Sequence, residues 1–142
     1  MLTTELTAQL QILFKQYITA FKHYDLDDAA SRYFLPCTLN TPDNVMLLSN
    51  EQQIKQALNK IFEQLKQAKT TEILVKNSSY TQLTAELVLV CIDWCFIDNE
   101  QRVFSDFSAF YHLIIVDGQW KIVNVTSHEL ENSQQLAKPF EL

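Results

Sequence analysis

Leu113-Ile114-Ile115-Val116-Asp117-Gly118-Gln119-Trp120-Lys121-Ile122-Val123 contains the only glycine of the chain and decides how its second half folds. Two apolar runs flank Asp117-Gly118. A two-residue type I′ turn needs positive φ at both central residues, which Asp and Gly accept at little steric cost. The stretch therefore reads as a β-hairpin in which Val116 faces Gln119, Ile115 faces Trp120 and Leu113 faces Ile122. Around it, Thr71–Lys76, Thr84–Ile97, Arg102–Val116 and Trp120–His128 read as strands joined by short turns. Together they predict an antiparallel meander.

Ahead of the meander the periodicity is helical. Leu6, Leu10, Leu13, Phe14, Tyr17, Phe21 and Tyr24 recur every third or fourth residue and predict an amphipathic helix over 5–24. Asp25 can cap a shorter helix through Phe34, burying Ala29, Ala30, Tyr33 and Phe34, with Pro36 ending it. Residues 37–48 read as two short strands around Thr41-Pro42-Asp43-Asn44. Ser49 and Gln52 form a capping box for a third helix that reaches about Ala68. Helices followed by a sheet make an α+β fold, in one domain over 1–142.

A turn over Asp98–Gln101 sets Ile97 opposite Arg102, and opposed residues share a face. One face then gathers Leu87 with His112 and Val123, Leu89 with Phe110 and Val125, and Cys91 with Ser108 and Ser127. The carboxylates Asp93, Asp106 and Glu129 extend it as a row. This mixture of apolar and polar groups suits a small-molecule site beneath the helices. Tyr17, Leu89, Cys91, Ser108, Phe110, His112, Val125 and Ser127 are its expected lining. The other face gathers Tyr111, Leu113 and Ile115 with Asn124, Ile122 and Trp120, and is richer in large apolar groups. Three helices on one side cannot cover two apolar faces. The second face therefore predicts a homodimer through the outer side of the sheet.

A composition of 47% hydrophobic and 11% aromatic residues supports a full core. The net charge is −6, and residues 71–142 carry all of the acidic excess, with no basic stripe anywhere. Phosphate binding wants clustered cations, so nucleic acid is not an expected partner. No apolar run reaches the ~18 residues of a membrane span and no leader pattern opens the chain, which predicts no membrane partner and a cytoplasmic location. Cys91 and Cys95 lie about 13 Å apart along one strand, beyond the reach of a disulfide or a shared metal. Neither metal nor cofactor is expected, and a single glycine cannot build a phosphate loop.

The order of these features resembles the nuclear transport factor 2-like superfamily over nearly the whole chain. The residues that carry the likeness are a short helix opening Asp25-Leu26-Asp27 after a long one, a capped third helix, and a meander closing on Gly118-Gln119-Trp120-Lys121-Ile122. The superfamily takes in ketosteroid isomerases, scytalone dehydratases and SnoaL-like polyketide cyclases. The resemblance implies a cone-shaped α+β barrel with a pocket between helices and a concave sheet, usually in a dimer. Gln16-Tyr17-Ile18-Thr19-Ala20-Phe21 is most similar to ketosteroid isomerase. By that likeness Tyr17 falls on the tyrosine that donates to the substrate oxyanion, and His112 falls near its protonated aspartic partner. The family's general base, an aspartate before a proline, is here Thr41 before Pro42. Threonine cannot abstract a carbon-bound proton at neutral pH.

Two functions stay open. One is a non-catalytic, small-molecule-binding domain with a hydrophobic pocket. The other is a cofactor-independent isomerase, dehydratase or cyclase acting on an apolar carbonyl or polycyclic substrate. In that case Tyr17 and His112 would donate and Asp93 or Asp106 would move protons.

Overall fold

The computed structural model describes residues 2–142, with side chains from Glu5 onward. Helix α1 spans Leu2–Lys22 and turns Leu6, Leu10, Leu13, Phe14, Tyr17 and Phe21 into the core, as their spacing requires. Asp25 caps α2 (Leu26–Ser31) by accepting from the Asp28 amide at 3.1 Å. That helix stops at Ser31 rather than Phe34, because the Arg32 carbonyl is taken by the Ile122 amide at 2.9 Å and draws the chain into the sheet. Strand β1 (Tyr33–Thr41) begins there, so Pro36 lies inside a strand, at an irregularity between Tyr33 and Thr38, and Phe34 is exposed. β2 (Asn44–Leu48) returns antiparallel around the expected turn. Helix α3 (Glu51–Gln67) is capped one residue later than expected. Asn50 accepts from the Gln53 amide at 2.9 Å, and the Gln53 side chain accepts from the Ser49 amide at 2.7 Å.

The meander consists of β3 (Thr70–Thr84), β4 (Leu87–Asp98), β5 (Val103–Val116) and β6 (Gln119–His128). β1 adds to β6 in parallel, and the short β7 (Lys138–Pro139) closes the far edge, giving the order β2-β1-β6-β5-β4-β3-β7. β3 runs past its expected end at Lys76. Asn77, Ser78 and Ser79 look like turn residues, yet they pair with Asp93, Ile92 and Cys91. Their side chains find partners there: the Ser78 hydroxyl donates to the Phe140 carbonyl, and Ser79 Oγ accepts from the Leu136 amide at 2.9 Å.

The Asp117-Gly118 hairpin forms as read, with φ of 50° and 77° at its two central residues. Beyond it the register changes. Leu113 faces Ile122, but His112 faces Asn124, so Val123 is an extra residue in β6. From that bulge onward Val125 and Ser127 oppose Tyr111 and Ala109, not Phe110 and Ser108. The β4–β5 turn is longer than expected. The Asp98 carboxylate accepts from the Arg102 and Glu100 amides at 3.0 and 2.9 Å, which holds it ionised below the usual carboxylate range, and Gln101 takes a φ of 62°. Leu89 therefore faces His112, Cys91 faces Phe110 and Asp93 faces Ser108. The row of three carboxylates dissolves: Asp106 faces Cys95, and Glu129 lies past the end of β6.

The side of the sheet that the helices cover is also the reverse of the expectation. Val88, Val90, Ile92, Ala109 and Leu113 are fully buried in the helix-covered core, and the Phe14 ring sits 5.0 Å from that of Tyr111. The face expected to meet a partner copy is thus the core, and the face expected to hold a site is the outer, convex one. The buried stripes of α1 and α3 are mainly apolar and aromatic, and at roughly 25 cal/mol per Å² the sheet face with more apolar area wins the contact.

Part of the outer face is covered by the chain itself. After a 3₁₀ turn at Leu130–Asn132, the Ser133 hydroxyl bridges both Asp93 carboxylate oxygens at 2.7 and 2.8 Å. β7 then pairs with β3, and Phe140 is buried with its ring 5.6 Å from that of Tyr80. Phe140→Ala is expected to cost about 3 kcal/mol in urea unfolding with an unchanged m-value. A loss below about 0.5 kcal/mol, the range of an inert surface change, would contradict that packing.

Candidate functional site

Between α1, α3 and the concave face of the sheet lies a cavity of about 740 Å³. Its deep wall is aromatic: Tyr17 and Phe21 from α1, Trp94 and Phe96 from β4, Phe107 and Tyr111 from β5. The strand residues share this face because the β4–β5 slip is even, so the pleat still presents Trp94 with Phe107 and Tyr111. The bulge at Val123 brings Val125 and Ser127 onto the same wall. From α3, Ala57 and Ile61 face inward, while Asn59, Lys60 and Gln64 stand at the mouth.

Four polar groups sit within the aromatic wall. The Tyr17 and Tyr33 hydroxyls share a hydrogen bond of 2.6 Å, and Trp94 Nε1 donates to the Tyr111 hydroxyl at 2.9 Å. The Tyr17 ring lies 6.1 Å from Tyr33 and 6.4 Å from Tyr111, so the two pairs are neighbours. Burial raises the pKa of all three phenols well above the ordinary value, and they stay protonated. One indole N–H and three O–H groups thus supply four protons, of which these bonds use two. Two hydroxyl protons are left for another acceptor.

Among the described residues the cavity lining has no carboxylate, imidazole or thiol. Of the residues expected there, Tyr17, Val125 and Ser127 are present. Leu89, Cys91, Ser108, Phe110 and His112 lie on the opposite side of the sheet. Tyr17 and His112 are therefore separated by the sheet and cannot reach a common ligand atom. His112 is half-buried with its Nε2 enclosed and lacking a hydrogen-bond partner. Asp93 is buried on the same outer face under Ser133, and Asp106 is exposed. Thr41, standing where the resemblance puts a base, does line the cavity. Among the described residues no group of three His, Cys, Asp or Glu side chains could hold a metal, and no helix is long and apolar enough to cross a membrane.

Tyr33, Trp94 and Tyr111 complete the polar wall and were not read as site residues. The signal was present: buried Tyr and Trp carry a polar tip that demands a partner, and Trp94 and Tyr111 fall on one face under either register.

A family model described as NTF2-like protein (DUF6841) matches residues 8–130. The chain belongs to that NTF2-like family. No curated protein matches it in sequence. Among solved structures it is similar to an NTF-2 like protein of unknown function from Shewanella oneidensis MR-1, at 16% identity and a TM-score of 0.70, covering 87% of this chain and 98% of that one. A ketosteroid isomerase-like protein from Erwinia carotovora atroseptica SCRI1043 follows at 14% identity and a TM-score of 0.66, covering 87% and 95%. Aln2 from a Streptomyces species aligns at 9% identity and a TM-score of 0.71, covering 89% and 92%. At these identities the likeness is one of fold, the NTF2-like cone of three helices on a mostly antiparallel sheet.

The phenols make a direct prediction. A raised pKa stabilises the fold fully below the unfolded phenol value of about 10, and that stability is lost as pH rises beyond it. In a phenolate absorbance titration, at least three of the five tyrosines should ionise only together with alkaline unfolding. Smooth titration of all five in the folded protein would contradict the buried cluster.

Proposed function

We propose that this NTF2-like domain binds an apolar small molecule bearing a hydrogen-bond acceptor, and that it binds without catalysing. The observation that carries the reading is the pairing of a large aromatic cavity, ending in two spare phenolic protons, with a lining free of carboxylate and imidazole. Phenols can hold and polarise a carbonyl oxygen. A proton transfer needs a second group within reach, and Asp93, Asp106 and His112 lie across the sheet. The isomerase, dehydratase or cyclase reading keeps only its electrophilic half, the Tyr17–Tyr33 pair.

The test is uptake of an uncharged apolar fluorophore, N-phenyl-1-naphthylamine, together with native mass spectrometry for a co-purified molecule. Saturable binding that Ile61→Trp abolishes, by filling the cavity without unfolding the chain, is expected. Binding that survives Ile61→Trp unchanged, or no binding at all, would contradict the reading.

The reading includes a homodimer through the convex face. Leu89, Phe110, His112 and Ile114 are each only half-buried there in a single chain, and their contiguity favours a second copy as cover. Light scattering at micromolar concentration should give twice the 16.5 kDa chain mass, and a single-chain mass would rule the dimer out. A cytoplasmic setting belongs to the same proposal and is supported by the three unpaired, buried cysteines.

A further inference from the structure

The chain carries 17 acidic against 11 basic residues, yet among the described residues no carboxylate side chain lines the cavity. Among the described residues the one charged group in the lining is Lys60. It comes from a helix whose other lysines are neutralised: Lys55 Nζ lies 2.8 Å from Asp27 and 2.7 Å from Glu51, and Lys66 Nζ lies 3.6 Å from Glu63. Lys60 has no ion pair among the described residues. Its neighbours on the cavity rim are amides, Gln56, Asn59 and Gln64 from α3 and Asn44 across the mouth. Amides can donate to an anion but cannot neutralise the lysine.

An occupant of the cavity thus meets hydrogen-bond donors at both ends and a positive charge at one. The deep end holds spare hydroxyl protons but no counter-charge, so an anion buried there would lose its hydration with no opposite charge to offset the loss. A neutral acceptor fits that end. The mouth is wet and carries the lysine, so a negative group belongs there. A cationic ligand finds no carboxylate to pair with anywhere in the lining.

We infer that the cavity selects an amphipathic anion: a ring-containing apolar body, an uncharged acceptor oxygen directed at the phenols, and a monovalent acidic group held at the mouth by Lys60. This rests on the cavity being a ligand site. The test compares two dyes with closely related ring bodies, 8-anilino-1-naphthalenesulfonate, which carries an acidic group, and uncharged N-phenyl-1-naphthylamine. Lys60→Gln should weaken the sulfonate about three- to tenfold, the range of a partly exposed charge contact, and leave the neutral dye within about twofold. Lys55→Gln should change neither, since that lysine is already paired. Sulfonate affinity unaffected by Lys60→Gln, or an equal loss for both dyes, would overturn the selection of an anion while leaving the cavity as a binding site. Failure of the wild-type protein to bind either dye would overturn the binding-site reading itself, and this inference with it.

Discussion

One extra residue in β6 decides what kind of interior this protein has. Val123 has no counterpart in β5, and the shift it introduces turns Val125 and Ser127 from the outer face to the inner one. A bulge also bends and twists its strand. Here the strand bends where β1 joins it in parallel, and the sheet becomes concave toward α1 and α3. Without the bulge, Ile122 and Asn124 would share the inner face, and an amide would sit in the aromatic wall in place of Val125. The amide is instead employed outside, where Asn124 Oδ1 accepts from Thr38 and Asn40 at 2.6 and 2.8 Å.

The chemistry of the cavity follows from that curvature. Aromatic groups from α1, β4 and β5 converge without meeting in the middle, and burial in that wall pushes three phenols above their ordinary pKa. Fixed, protonated hydroxyls suit recognition of an oxygen acceptor. The groups able to move protons are spent elsewhere. Asp93 anchors the C-terminal segment through Ser133, and His112 lies half-buried on the convex face. Structure outside the cavity has absorbed the residues that a catalyst would need inside it.

Much of the fold was legible in local signals. The Asp117-Gly118 turn, the Asp25 cap and the apolar stripe of α1 each follow from short-range chemistry that tertiary contacts do not override. The strands were harder where a polar run disguised one, as Asn77–Ser79 did in β3, or where a long-range hydrogen bond captured the chain, as Ile122 did at Arg32. The site suffered most. A two-residue slip at the Asp98 turn and one extra residue at Val123 are invisible in hydrophobic patterning, yet every cross-strand row depends on them. The choice of inner face was misread for a different reason. Polar residues on a strand face suggest a site, but here Asp93 holds the chain's own C-terminal segment through Ser133, and the Ser108 hydroxyl meets the Cys91 thiol within the sheet. Beyond Tyr17, the true polar elements were the tips of Tyr33, Trp94 and Tyr111, which hydrophobic patterning shows only as apolar bulk.

Where a guest binds depends above all on Tyr17 and His112 lying on opposite sides of the sheet. Nuclear magnetic resonance of protein labelled at tyrosine and histidine rings, titrated with N-phenyl-1-naphthylamine, tests this directly. The Tyr17, Tyr33 and Tyr111 ring signals should shift together on binding while the His112 imidazole stays still. A shift at His112 with the three tyrosines unmoved would mean that the guest lies on the convex face and that the interior described here is the wrong one.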